Sequence, residues 1–191
     1  AGLSLSLGSM DLLTIQSYLM IGHGIPSTLP APSEAFQRIF LGANPEQFNA
    51  RNSSRLSELA SGTQERSTAR MEGAKGFAMG ANFEMLLSAN PIPFYFSLEM
   101  VMGFDINVTQ DFERRCIESG VVPGRNGWYA TGQFYAALEG SFGIQVRLFR
   151  ERRFPIFEMG AGMLLKGGLP DPVYATGKAR IRFSILNGLF K

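Results

Sequence analysis

The sequence predicts an all-β protein: a long antiparallel meander sheet, curled into a barrel-like or half-barrel module, with short helices in its loops. Three observations carry this expectation. Apolar and polar residues alternate with period two over unusually long runs, and the runs follow one another through short links rich in proline or glycine. Within each run the formal charges keep to one parity. Strand side chains alternate between two faces, whereas at helical period the same residues would scatter around the axis.

The chain opens directly in alternation, Leu3-Ser4-Leu5-Ser6-Leu7. With no initiator Met and no signal-peptide pattern ahead of this, a processed product or a piece of a longer polypeptide is expected. A long Pro-rich and polar insertion follows, residues 22–73. It begins with Pro26, Pro30 and Pro32, and it offers one short helix from Ser33 as N-cap to Gly42 just past its end. From Ala43 to Glu72 it is rich in Ser, Asn, Arg and Glu, with one further helical turn expected at Leu56 to Ala60.

Alternation resumes at Phe77, Met79, Ala81, Phe83, Met85 and Leu87. Asn90-Pro91-Ile92-Pro93 then ends one strand and starts the next, because proline lacks a ladder donor and fixes φ. The clearest run is Phe94 to Val108: Phe94, Phe96, Leu98, Met100, Met102, Phe104 and Ile106 form one apolar parity, and Glu99 and Asp105 stand on the other. A second insertion, around Thr109 to Asn126, is expected to hold a short helix starting at Thr109, with Asp111 and Glu113 in its first turn.

A very long run, Trp128 to Leu148, places Glu139 and Arg147 on its polar parity; a bulge is expected at Gly140 or Gly143. Arg150 to Arg153 reads as a turn into a strand from Phe154 to Leu165. Gly167 to Pro172 reads as a turn into a last strand, whose polar parity carries Lys178, Arg180 and Arg182. Short links between successive strands favour an antiparallel meander. At 191 residues a single β-rich domain is expected over 1–191.

Composition excludes several function classes. The formal charge is only +2, which gives no strong pull toward nucleic acid, and the aromatics lack interleaved basic residues. Cys116 is the only cysteine and His23 the only histidine, so an intrachain disulfide is impossible and zinc clusters and nucleophilic triads are improbable. His23 reads as a turn residue bonded to backbone, and Cys116 as a small packed thiol. The glycine-rich stretches Gly73 to Gly80 and Gly160 to Gly168 lack the lysine-serine ending of a phosphate loop. Carboxylates on the polar parity are matched in number by basic groups. A solvated face or cross-strand ion pairs explains Glu99, Asp105, Glu139, Arg147, Arg180 and Arg182 better than acid–base catalysis does. No catalytic residue, cofactor or metal is expected, and the chain is read as non-enzymatic.

Several stretches resemble segments of large, poorly characterised envelope and cell-surface proteins of Bacteroidota. They are Gly103-Phe104-Asp105, Gly127 to Tyr135, Gly167-Gly168-Leu169-Pro170-Asp171-Pro172 with the strand after it, and the Pro-rich Ile25 to Pro32. The resemblance implies a Gram-negative envelope setting and a longer parent chain, and it carries over no activity. The leading expectation is therefore a structural or assembly module whose apolar face packs against the rest of its chain or a partner envelope protein. Two alternatives remain open: an outer-membrane β-barrel segment with its Phe/Met/Leu parity toward lipid, and a lipid- or hydrophobic-ligand-binding module.

Overall fold

The computed structural model describes residues 2–7, 10–25, 28–41, 74–110, 112, 122, 124–147 and 151–186. Seven strands form one sheet in chain order: β1 (Gly2–Leu7), β2 (Met10–His23), β3 (Lys75–Ala89), β4 (Phe94–Gln110), β5 (Trp128–Arg147), β6 (Glu151–Leu169) and β7 (Tyr174–Ile185). Every adjacent pair is antiparallel, including β2–β3 and β4–β5, which are joined across the two insertions and not by short links. No ladder joins β1 to β7, so the meander is curled but not closed, a half-barrel. The one helix among the described residues, α1 (Glu34–Leu41), lies against β4, β5 and β6.

The boundaries follow local chemistry. Ser33 caps α1 by accepting a hydrogen bond from the Phe36 amide on its Oγ at 3.3 Å. The Pro91 carbonyl accepts the Phe94 amide at 2.6 Å and closes the β3–β4 connection. The β5–β6 register shifts between Phe142 and Gly143, one of the two glycines expected to mark a bulge. A Cβ at Gly143 would meet the Phe154 carbonyl at 2.2 Å, so the irregular ladder needs a residue without one there.

Three expectations are adjusted, and others fall outside the described residues. A second strand, β2, precedes the Pro-rich insertion; its alternation is interrupted by Leu12-Leu13 and by Met20, which hides the period. Thr109 does not begin a helix, because its ladder to β5 through Tyr129 extends β4 to Gln110. β6 is longer than expected at both ends, absorbing Glu151 to Arg153 and Gly167 to Leu169. Cys116, Asp111 and Glu113 of the proposed second helix, and the Leu56 to Ala60 turn, lie outside the described residues.

The core sits on one side of the sheet. Phe36, Ile39 and Phe40 of α1 are buried against Val101 of β4, Tyr135 and Ala137 of β5 and Leu164 of β6. The Phe36 ring stacks on Phe40 at 5.1 Å and meets Tyr135 at 5.0 Å. Val101, Tyr135, Ala137 and Leu164 all belong to the parity that carries the charges. The face covered by α1 is thus the polar one, and the Phe/Met face lies open.

This arrangement predicts opposite outcomes for two Phe→Ala substitutions. Phe36→Ala, at a site only 2% exposed, should lower the unfolding free energy by about 3–5 kcal/mol. Phe96→Ala, at an open-face site, should cost about 1 kcal/mol or less. Denaturant titration of detergent-dispersed protein reads both, and a larger loss at Phe96 would invert the assignment of faces.

Candidate functional site

Each pairing row of the sheet places residues of one parity side by side. On the covered face one row runs Tyr18, Gly80, Asp105, Gln133, Lys166 and Thr176 from β2 to β7. Tyr18 reaches over Gly80 to donate its hydroxyl to Asp105 Oδ1 at 2.8 Å. Gln133 Nε2 donates to Asp105 Oδ2 at 2.8 Å and to the Pro30 carbonyl at 2.6 Å. Asp105 and Gln133 are buried, so this stretch of the polar parity is not the solvated face that charge counting suggests. It is an internal network that ties β2, β4, β5 and the segment ahead of α1 together. A buried carboxylate is tolerable there because donors meet both oxygens.

A second row runs Leu86, Glu99, Glu139, Gly160 and Arg182. Glu99 and Glu139 stand directly opposite each other, a destabilising pairing of like charges unless each is compensated. Compensation comes from two directions: Arg38 of α1 pairs with Glu99, and Arg182 of β7 pairs with Glu139. Arg182 gets there by lying across Gly160, where a Cβ would come within 2.6 Å of its Nε. The expected strand-to-strand ion pair therefore exists for Glu139, whereas the partner of Glu99 comes from the helix. Arg180 is used differently, donating from Nη1 to the Leu41 carbonyl at 2.7 Å at the C-terminal end of α1. The register puts Arg147 on the same parity, opposite Glu151.

Glycine at these rows is a spatial requirement. A Cβ at Gly103 would fall 2.4 Å from the Tyr135 ring, and one at Gly162 would fall 2.7 Å from Phe40 Cδ2. The covered face thus has floor space at Gly80, Gly103, Gly160 and Gly162 over which Tyr18, Tyr135, Arg182 and Phe40 extend. Nothing in the strand period alone reveals this use of glycine. The visible signal is a glycine directly opposite, or next but one in a row to, a large polar or aromatic residue.

The open face has a different composition. Successive rows across β3 to β7 read Leu87, Leu98, Gly140, Met159, Phe183; Met85, Met100, Leu138, Ala161, Ile181; Phe83, Met102, Ala136, Met163, Ala179; and Ala81, Phe104, Phe134, Leu165, Gly177. All seven expected apolar-face residues of β4, Phe94 to Ile106, lie on this face. Phe94, Phe96, Met102 and Phe104 are exposed, and Phe94 stacks on Phe142 at 5.9 Å. From the Phe77–Val108 row to the Ile144–Phe154 row, no Asp, Glu, Lys or Arg stands on it among the described residues of β3 to β7. At one rim the next row contains His23, Lys75, Gln110 and Trp128. His23 thus ends β2, at the sheet rim.

No cluster of three or more His, Cys, Asp or Glu side chains is placed to hold a metal among the described residues. Among them, too, no helix is long and apolar enough to cross a membrane, a statement that leaves strand-built spans untouched. No protein-family model matches the chain, and neither the curated proteins nor the solved structures give a match. The class defined is a half-barrel meander whose open face is free of charge across its middle rows and whose polar face carries the helix, two ion pairs and a hydrogen-bonded carboxylate.

The glycine geometry generates a paired test. Gly103→Ala should cost about 1–3 kcal/mol, since Tyr135 is held by Phe36 and has little freedom to give way. Gly132→Ala, whose new Cβ would have its nearest neighbour at 3.4 Å, should stay within about 0.5 kcal/mol of wild type. Thermal or denaturant unfolding of both variants checks the contrast.

Proposed function

We propose that this chain is a non-catalytic wall segment of an outer-membrane β-barrel in a Gram-negative envelope, with the open Phe/Met/Leu face toward lipid. The single observation that carries the reading is the inversion of faces. Ion pairs, hydrogen-bonded carboxylate and helix lie on one side, and the charge-free apolar rows lie exposed on the other. A water-soluble sheet puts its apolar parity against the helix; a membrane barrel puts it outward.

Dimensions support the same reading. At ~3.3 Å per residue, Phe94 to Val108 extends about 46 Å along β4. Tilted by about 40°, as barrel strands are, it rises about 35 Å. That is sufficient to cross a hydrocarbon core of ~30 Å. Closure of the wall across β1 and β7 falls to other strands of a parent chain or to partner envelope proteins. In such a wall α1 and its proline-rich lead lie on the lumen side and fill part of it.

The second reading is an assembly module whose apolar face is covered by protein. It draws on the same exposed rows and on the two unpaired sheet edges, which are natural docking sites for further strands. A cavity-lining role for the Phe/Met parity has less support, because α1 covers the opposite face.

A charge placed mid-row separates lipid from water. In lipid-reconstituted protein Met102→Arg should lower stability by about 2–4 kcal/mol, and the loss should shrink toward the rims, as at Phe94→Arg. Fluorescence-detected urea unfolding in bilayers measures it. A neutral or more soluble Met102→Arg variant would overturn the membrane reading.

A further inference from the structure

At the rim of the open face, between β2 and Trp128, lies a shallow groove of about 470 Å³. That is within the ~300–1,000 Å³ range of small-ligand sites. Its floor and walls are Leu19, Ile21, Phe77 and Met79, and its outer end is formed by Lys75, His23 and Trp128. The groove has a structural origin. β1 pairs with β2 only over Met10–Gln16, so the remainder of β2 is flanked by β3 alone among the described strands. Leu19 and Ile21 consequently stand 64% and 77% exposed.

We infer that this groove binds one anionic phospholipid, its acyl chain along Leu19, Ile21, Phe77 and Met79 and its headgroup on the Lys75 ammonium. The inference rests on the membrane-wall reading above and adds a specific occupant to it. Charge complementarity selects that occupant. Lys75 is exposed, has no carboxylate partner among the described residues, and stands where the charge-free rows end. An apolar trough that terminates in one lysine with no carboxylate partner among the described residues matches an amphiphile with one negative head, and a protein strand would not need that cation. Trp128 on the same row is a side chain that favours the boundary between hydrocarbon and headgroups, which sets the depth at which a headgroup would meet Lys75.

Trp128 is the only tryptophan, and it lines the groove, so it reports occupancy directly. The full chain is reconstituted in phosphatidylcholine containing a minor fraction of acyl-brominated phosphatidylglycerol, and separately with the same fraction of acyl-brominated phosphatidylcholine. Bromine quenches indole fluorescence on contact. The site predicts that quenching by the anionic lipid corresponds to about fivefold local enrichment over the zwitterionic one, the factor expected for one lysine acting on one anionic headgroup. Lys75→Gln should abolish the preference while leaving quenching by brominated phosphatidylcholine unchanged, and Lys75→Arg should retain it. Equal quenching by the two lipids in the wild-type protein would overturn the site and leave the membrane wall standing. So would a preference that survives Lys75→Gln. Absence of quenching by either lipid would overturn both.

Discussion

The structure depends on one constraint: in a meander of fully paired strands every residue must belong to one of two faces, and here, between the Phe77–Val108 and Ile144–Phe154 rows of β3 to β7, the charged residues stand on only one of them. Glu84, Glu99, Asp105, Glu139, Glu158, Lys166, Lys178, Arg180 and Arg182 share the covered face across β3 to β7. The carboxylates Glu99, Asp105 and Glu139 on that face find partners sideways along a row, from the helix above or from Tyr18 of β2. Arg38 to Glu99, Arg182 to Glu139 and Tyr18 with Gln133 to Asp105 are the solutions. The two ion pairs are partly solvated, so their direct contribution is modest, about 0.2–1 kcal/mol each. Their larger role is to relieve the Glu99–Glu139 opposition that the register imposes.

Packing under the helix uses the same rows. Phe36, Ile39 and Phe40 need an apolar footprint on a face otherwise occupied by polar groups, and Val101, Tyr135, Ala137 and Leu164 supply it. Burial of each large side chain contributes about 1.5–3 kcal/mol. Gly103 and Gly162 leave the room that the Tyr135 and Phe40 rings occupy against the sheet. α1 is therefore held by a small, dense contact plus two arginines, one leaving the helix for Glu99 and one arriving at its C-terminal carbonyls from β7.

Much of the sheet is legible in the sequence, because β4 and the long β5 keep strict parity and the prolines at 91 and 93 punctuate it. The register shift at Gly143 is legible as one of two glycine candidates. β2 is not, since Leu12-Leu13 and Met20 put apolar residues on both parities near the open edge of the sheet. The helix itself is signalled by Ser33, yet its position on the polar face is less obvious. The clue is the minority of apolar residues on that parity, Val101, Tyr135, Ala137 and Leu164, which trace its outline once the strands are aligned. The rim row His23, Lys75, Gln110 and Trp128 draws from four separate strands, so only the pairing register brings it together.

In the membrane-wall reading the even-numbered positions of β4 contact lipid. The most direct measurement places a nitroxide at each position from Leu98 to Ile106 in turn, in the bilayer-reconstituted chain carrying Cys116→Ser, and compares relaxation by lipid-dissolved oxygen with relaxation by a water-soluble nickel complex. A lipid-facing β4 gives a period-two pattern in which positions 98, 100, 102, 104 and 106 are open to oxygen and closed to nickel. Even-numbered positions reached by nickel, or shielded from both reagents as under a protein partner, would contradict it.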